Sequence, residues 1–168
     1  GVYLGSSGVN GMMYDTAGNG GVYRESTGRW YWYHYIPNNC MGINTSTTSS
    51  SYGLYVSGGI YSTGDIVAYS DRRKKTDIVT IDSALLKVKE MRGVFYTRTD
   101  DSEKIRQVGV IAQEINNVLP EAVTYAADVD EYGVKYGNIV GVLIEAIKEQ
   151  QLQIEKLQNK LDNVLSSR

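Results

Sequence analysis

A serine followed at once by an aspartate and four cations lies near the middle of the chain, in the stretch SDRRKK at residues 70–75. A serine hydroxyl becomes a useful nucleophile only when a neighbouring base takes its proton. The single histidine, His34, lies upstream, so a lysine is the remaining candidate base. A lysine acts as a base only when its amine is neutral, which burial or crowding by other cations favours. The stretch therefore predicts either a serine–lysine hydrolytic site or a solvated basic linker.

The same stretch marks an abrupt change in composition. Residues 1–69 hold 13 of the 18 glycines and 10 of the 14 tyrosines, but only five of the 36 charged side chains. The net charge of −2 gives no general attraction to nucleic acid or anionic membranes. No run reaches the roughly 20 apolar residues of a membrane span. We therefore expect two domains, 1–69 and 70–168, with no nucleic-acid partner and no membrane insertion.

The first region has the pattern of short strands separated by small-residue turns, as in GVYLGSSGVNGMMY and RWYWYHY. Three further strands of two or three residues are predicted at 54–56, 60–61 and 66–67. Strands that are so short and rich in glycine bury too little apolar surface to offset the chain entropy lost on folding. The first region is therefore predicted to be all-β, as a β-helix or a fibre in which copies of the chain wrap around each other.

Chemical candidates within the first region are weak. The aromatic run RWYWYHY either fills a core between chains or stacks on sugar rings. His34 has no acidic or cysteine neighbour at ligand spacing, so a packing role is expected. Cys40 is the single cysteine and is expected to be a buried, inert thiol, which excludes an intrachain disulfide and a thiolate metal cluster. In the second region, the acidic turn DVDEYG at 128–133 lacks calcium-loop spacing, so a solvated turn is expected there. No metal and no cofactor are expected.

The second region alternates helical and strand patterns, which predicts a small α/β (α+β) unit. TIDSALLKVKEMRG is predicted to be a helix capped by Asp82 or Ser83 and ended by Gly93. GVFYTRT and EKIRQVGVIA are predicted strands joined by the turn DDSE, and AVTYA and EYGVKYG are two more. AQEINNVLPEAV predicts a short helix stopped by Pro120. The predicted buried residues are Leu85, Val88 and Met91 in the first helix and Ile111, Ile115, Val118 and Leu119 in the second.

The last helix carries a heptad repeat, with apolar residues spaced alternately by three and four over about 139–165. Its sequence is otherwise polar, so an isolated helix would be marginal and partner helices are expected. A glutamine within the seam would fix the register at some cost in stability, and seam composition does not separate a dimer from a trimer. The predicted seam is Val140, Ile147, Ile154 and Leu161 at position a, with Leu143, Gln150, Leu157 and Val164 at position d.

Three segments, in this order, resemble one family: GLYVSGGIYSTGDIVAYSDRRKKTDI, RQVGVIAQEINNVLPEAV and VKYGNIVGVLIEAIKEQQLQIEKL. Together they span most of residues 54–161. They closely resemble the C-terminal intramolecular chaperone and auto-processing domain of bacteriophage tail fibres, tailspikes and neck appendages, the S74 peptidase family. The resemblance implies a homotrimer in which a triple β-helix-like fibre segment precedes a chaperone domain.

The resemblance also implies a site. Members cut the peptide bond before the serine of an S-D-x-R-x-K motif, which here is the Tyr69–Ser70 bond. The family's dyad falls on Ser70 as nucleophile and Lys75 as base, with Asp71 and Arg73 at the supporting motif positions. The position before the lysine is usually apolar in the family, whereas this chain has Lys74.

The implied function is an intramolecular chaperone that trimerises and assists folding of a tail fibre or tailspike, then releases itself by autoproteolysis. Its implied partners are itself, the upstream fibre and, for the mature fibre, host surface polysaccharide. The mature part would reside in the virion tail, whereas the chaperone domain would be made in the host cytoplasm and released. The alternative is an uncleaved structural trimerisation tip of a receptor-binding fibre.

Overall fold

The structure, a computed structural model, describes residues 2–3, 11–14, 20–24, 29–35, 40–45 and 51–167. The chain is mixed α/β, as predicted, and it divides into two compact units. The first unit comprises Gly1–Ser70 together with Ala126–Glu131. The second comprises Asp71–Tyr125 together with Tyr132–Arg168.

The first unit contains one six-stranded sheet whose strands lie in chain order. Pairing is antiparallel from the first strand to the fifth, and the sixth strand pairs in parallel with the fifth. The prediction of short strands in this region is thus confirmed, whereas the intertwined β-helix stays a prediction. The strands are β1 (Val2–Tyr3), β2 (Gly11–Tyr14), β3 (Gly20–Arg24), β4 (Arg29–Tyr35), β5 (Cys40–Ile43) and β6 (Leu54–Val56).

Tyr33 of β4 is a buried aromatic residue of this sheet, and two glycines make room for it. Gly21 of β3 and Gly42 of β5 are its cross-strand partners. A Cβ atom added to Gly42 would lie 3.0 Å from Cδ1 of Tyr33, and one added to Gly21 would lie 2.6 Å from its Cα. The neighbouring Trp32 and His34 are exposed on the single chain, whereas Cys40 is fully buried as predicted. Burial raises the pKa of the Cys40 thiol.

The predicted strands at 60–61 and 66–67 are wrong for the single chain, although the one at 54–56 is confirmed as β6. Both segments are irregular, and their apolar side chains are 68–91% exposed. The physical reason is that a strand needs a neighbouring backbone to pair with, and no described strand of this chain pairs with them. Residues 60–61 and 66–67 therefore have no strand partner among the described residues, and their apolar side chains lie at the surface of the single chain.

The second unit is built around three helices. The last helix packs along the first, and the fully buried side chains include Ala84, Ile115 and Val142. The predicted apolar faces of the first two helices are confirmed, since Leu85, Val88 and Met91 pack against this core and Leu119 is buried in it. The elements are α1 (Ala84–Glu90), β7 (Val94–Thr97), β8 (Arg106–Gly109), α2 (Ala112–Val118), β9 (Val123–Ala126), β10 (Glu131–Val134) and α3 (Tyr136–Ser166).

Both ends of α1 differ from the prediction. Ser83 precedes the helix in a left-handed conformation, with φ 50°, and its side chain makes no capping hydrogen bond. The carboxylate of Glu149, on α3, instead accepts the backbone N–H of Ala84 at 2.9 Å and that of Leu85 at 2.9 Å. The helix ends at Glu90, before Gly93, and Met91 is already extended. The cap is therefore supplied by tertiary packing, not by the local sequence.

The other local predictions are confirmed. β7 and β8 form an antiparallel hairpin in which Phe95 lies opposite Val108. α2 ends at Val118, just before Leu119 and Pro120. The acidic turn between β9 and β10 is largely exposed, as a solvated turn should be. The hairpin and the helix depend on signals close in sequence, which explains why both could be predicted.

Candidate functional site

The motif SDRRKK forms a compact turn. Arg72–Lys74 is a single 3-10 turn, and Asp71 stands at its N-terminal cap. Oδ1 of Asp71 accepts the backbone N–H of Arg73 at 2.8 Å. The backbone N–H groups of Lys74 and Lys75 close the turn by donating to the carbonyls of Asp71 and Arg72, at 3.1 and 3.0 Å. Ser70 directly precedes this turn and Lys75 ends it.

A forked ion pair joins the two supporting motif residues. Nη2 of Arg73 lies 2.6 Å from Oδ2 of Asp71, and Nε lies 3.1 and 3.2 Å from the two carboxylate oxygens. Hydrogen bonding to Arg73 lowers the pKa of the Asp71 carboxyl, and the same contact raises the pKa of the Arg73 guanidinium. Because the Arg73 side chain is 87% exposed, the pair contributes little to global stability. Its contacts are local, since both partners lie within the SDRRKK turn.

Ser70 and Lys75 are both exposed on the single chain, as are Tyr69 and Lys74. The burial that would favour a neutral lysine amine is therefore not supplied by this chain on its own. The Ser70–Lys75 dyad and the Tyr69–Ser70 scissile bond stay predictions.

No group of three His, Cys, Asp or Glu side chains suited to a metal ion occurs among the described residues. The acidic turn instead makes a contact that the sequence did not predict. The Tyr55 hydroxyl donates to Oε2 of Glu131 at 3.4 Å, across 76 positions of sequence. Burial is the main cause that raises the pKa of Tyr55, and the Glu131 charge adds to it.

The predicted coiled-coil seam lies entirely on the surface of the single chain. Every residue of the seam is exposed, including Gln150. Beyond Gln150, each residue of α3 up to its end at Ser166 is exposed as well. No helix of the described residues is long and apolar enough to cross a membrane. The 31-residue α3 thus confirms the predicted helix and displays an apolar seam that this chain does not cover.

A second stripe of α3 faces the inside of the unit and was missed. Val142 and Ala146 are buried, Ile139 packs against them, and Glu149 caps α1. Their spacing of 3, 4 and 3 was visible beside the seam, so a second helix face could have been predicted. An acidic residue on this inward stripe, Glu149, was the sequence feature that could have indicated a capping role.

The fold and the turn define a small α/β domain that ends in a long helix with an open apolar seam. Residues 70–124 match the S74 peptidase family, which is described as the chaperone of endosialidase. The match confirms the resemblance for this segment, and it begins at Ser70 itself.

Two tail-fibre proteins are similar to a larger part of the chain. Each is a long tail fibre protein Gp37, one from Enterobacteria phage K3 and one from Enterobacteria phage T2, and each is 33% identical over 100 residues. The alignments cover 55% of this chain but only 8% and 7% of those proteins. An uncharacterised membrane protein of Dictyostelium discoideum is 29% identical over 150 residues, covering 76% of this chain and 9% of that protein. The chain therefore spans less than a tenth of the length of these relatives.

Proposed function

We propose that the chain is part of a phage tail fibre whose residues 70–168 act as an intramolecular chaperone and then cut themselves away at the Tyr69–Ser70 bond. The observation that carries this proposal is that the family match begins at Ser70, where the composition changes and the capped turn starts. The similarity to two long tail fibre proteins supports the chaperone role in a fibre.

The chaperone step follows from the exposed seam of α3. Three copies of the helix would bury Val140, Ile147, Ile154 and the other seam residues against one another, which offsets the entropy of bringing the chains together. Trimerisation also raises the local concentration of the upstream strands. The exposed apolar stretch around Ile60 and Val67 would then find partner backbones in neighbouring copies. Each copy would thus supply the neighbouring backbone that these segments lack in the single chain.

The cleavage step uses a serine and a lysine. The neutral amine of Lys75 takes the Oγ proton of Ser70, and Oγ attacks the carbonyl carbon of Tyr69. The C–N bond breaks, the lysine returns the proton to the amine of Ser70, and an ester joins Tyr69 to the serine oxygen. Water then hydrolyses the ester to give the Tyr69 carboxylate and to restore the hydroxyl. In the alternative geometry, Ser70 of a neighbouring copy attacks the bond.

Exposure of Lys75 on the single chain gives a reason for cleavage to wait for assembly. A lysine in water is protonated at neutral pH and cannot act as a base. Packing of copies around the turn would desolvate the amine and favour its neutral form. Cleavage would then report that the trimer has formed.

The names of the two tail-fibre relatives support a place in the virion tail. The rest of the proposed setting rests on the family resemblance. The mature fibre would stay in the virion tail, joined to the rest of the fibre, where host surface polysaccharide is a candidate partner. The chaperone domain would be made in the host cytoplasm and released. The second candidate function is an uncleaved trimerisation tip, which the wholly exposed seam favours equally, because trimerisation alone needs no cleavage.

The lysine variants test this proposal. Wild-type chain, Lys75→Ala and Lys74→Ala are expressed in parallel, and their intact masses are measured by mass spectrometry. The proposal predicts cut wild type, cut Lys74→Ala and whole Lys75→Ala, with all three oligomeric. A whole wild-type chain that still trimerises would support the uncleaved tip, and cleavage that needs Lys74 instead would overturn the assignment of the base.

A further inference from the structure

A two-point contact joins Asp71 and Arg73 within the SDRRKK turn. One carboxylate holds both the backbone N–H and the guanidinium of Arg73, so it binds the same residue at two points. The pair lies between the two residues of the proposed dyad in sequence. Neither side chain is needed for a core, since the Arg73 side chain is largely exposed and the turn contains no buried residue.

The turn shortens the path between the dyad residues. A residue in a 3-10 turn advances the chain by about 2.0 Å, against about 3.3 Å in an extended chain. The three residues Arg72–Lys74 therefore draw the two ends closer by roughly 4 Å relative to an extended linker. A single 3-10 turn of three charged, exposed residues has little intrinsic stability, because its hydrogen-bond geometry is poor. The turn therefore needs a further contact to stabilise it.

We propose that Asp71 and Arg73 are positioning residues for the cleavage reaction: their two-point contact holds the 3-10 turn that sets the path from Ser70 to Lys75. The carboxylate supplies the cap for the turn, and the guanidinium fixes the orientation of that carboxylate. In this proposal the two groups act on the reaction through the turn that they hold, not on the reacting atoms directly. This inference rests on the proposed function, because positioning matters only if Ser70 and Lys75 react.

The chain offers a matched control. Arg98 and Asp100 form the same kind of forked ion pair two residues apart, with Nε to Oδ1 at 2.9 Å and Nη2 to Oδ2 at 2.6 Å. This pair lies in the loop that follows β7, and both side chains are exposed. Removal of Asp100 therefore deletes an equivalent exposed ion pair without touching the turn.

The test compares cleavage rates of wild type, Asp71→Ala, Asp71→Asn and Asp100→Ala. Small misplacements of reacting groups cost up to about a hundredfold in rate, so Asp71→Ala should be cut roughly tenfold to a hundredfold more slowly. Asparagine can still accept the Arg73 N–H but loses the ion pair, so Asp71→Asn should fall between Asp71→Ala and wild type. Asp100→Ala should match wild type.

Two further readouts separate positioning from other roles. The pH midpoint of cleavage should stay unchanged in Asp71→Ala while the plateau rate falls, because the base is intact. In a Ser70→Ala background, Asp71→Ala should exchange the Arg73 amide at least about tenfold faster with unchanged thermal unfolding, since only an exposed local contact is lost. A shifted pH midpoint of cleavage in Asp71→Ala, or a cleavage rate equal to that of wild type, would overturn the positioning role but leave the proposed function standing. An uncut wild-type chain overturns the proposed function and this inference with it.

Discussion

The carboxylate of Glu149 accepts the backbone N–H of Ala84, 65 residues earlier in the chain, and so caps α1 from α3. The other oxygen of the same carboxylate accepts the N–H of Leu85. Negative charge at a helix N-terminus satisfies free N–H groups and complements the helix dipole. The helix that carries the predicted coiled-coil seam therefore also completes the core of the second unit.

Removal of this cap should destabilise the second unit. Glu149→Ala leaves two N–H groups of α1 without their acceptor, and we expect a loss of about 1–3 kcal/mol in the free energy of unfolding. Glu155→Ala removes the same charge from an exposed position of α3 and should cost less than about 0.5 kcal/mol. Denaturant unfolding followed by circular dichroism measures both. Equal effects of the two variants would contradict the capping role.

Interruption of the seam should dissociate the oligomer without unfolding the single chain. Ile154 lies at position a of the seam and is 42% exposed, whereas Leu152 on the same helix is 56% exposed and lies outside the seam. Ile154→Asn should reduce the mass seen by sedimentation at low micromolar concentration, and Leu152→Asn should leave it unchanged. The account of the seam fails if both variants sediment like wild type.

Glycine should be required beside Tyr33. Gly21→Ala places a methyl group against the backbone of β4, and overpacking of this kind costs about 1–3 kcal/mol or more. Gly59 has no neighbouring atom within 4 Å, so Gly59→Ala is the matched change in open space. Limited proteolysis of the first region should be faster in Gly21→Ala and unaltered in Gly59→Ala. Unaltered proteolysis of Gly21→Ala would contradict the described packing.

Acid should remove the contribution of the Arg92–Glu114 ion pair to the stability of the fold. The forked pair joins the segment after α1 to α2, and hydrogen bonding to Arg92 lowers the pKa of Glu114 below its ordinary value of 4.5. A lowered carboxyl pKa stabilises the fold above pH 4.5, and this stabilisation is lost as the pH falls through the lower, folded-state pKa.

The difference in stability between wild type and Arg92→Ala should therefore be largest near neutral pH and shrink below pH 4.5. Lys89→Ala is the control, because Lys89 is exposed and takes part in no ion pair among the described residues. Thermal unfolding at several pH values measures the difference. If the difference in stability between wild type and Arg92→Ala does not change with pH, the ion pair is not the cause of that difference.

Local signals predicted most of the second unit. The heptad spacing gave α3, Pro120 marked the end of α2, and a polar turn between apolar runs gave the β7–β8 hairpin. Each of these depends on residues close together in sequence. The cap of α1 could not be predicted in this way, because Glu149 reaches Ala84 only after α3 has packed on α1.

The first region shows a different limit. The pattern at 60–61 and 66–67 is typical of strands, yet strand formation depends on a neighbouring backbone that the single chain does not provide. The same holds for the candidate site. Motif spacing selects Ser70 and Lys75, but both residues are exposed on the single chain, so their reactive environment could not be predicted from nearby sequence.

The proposed cleavage requires that Ser70 cut the chain at its own N-terminal side. Time-resolved intact-mass analysis of freshly folded wild type beside Ser70→Ala tests this requirement. The account predicts that wild type yields, with time, a fragment that begins at Ser70 and ends at Arg168, while Ser70→Ala stays whole and oligomeric. Cleavage between Tyr69 and residue 70 in Ser70→Ala, or wild type that oligomerises and stays uncut, would contradict it.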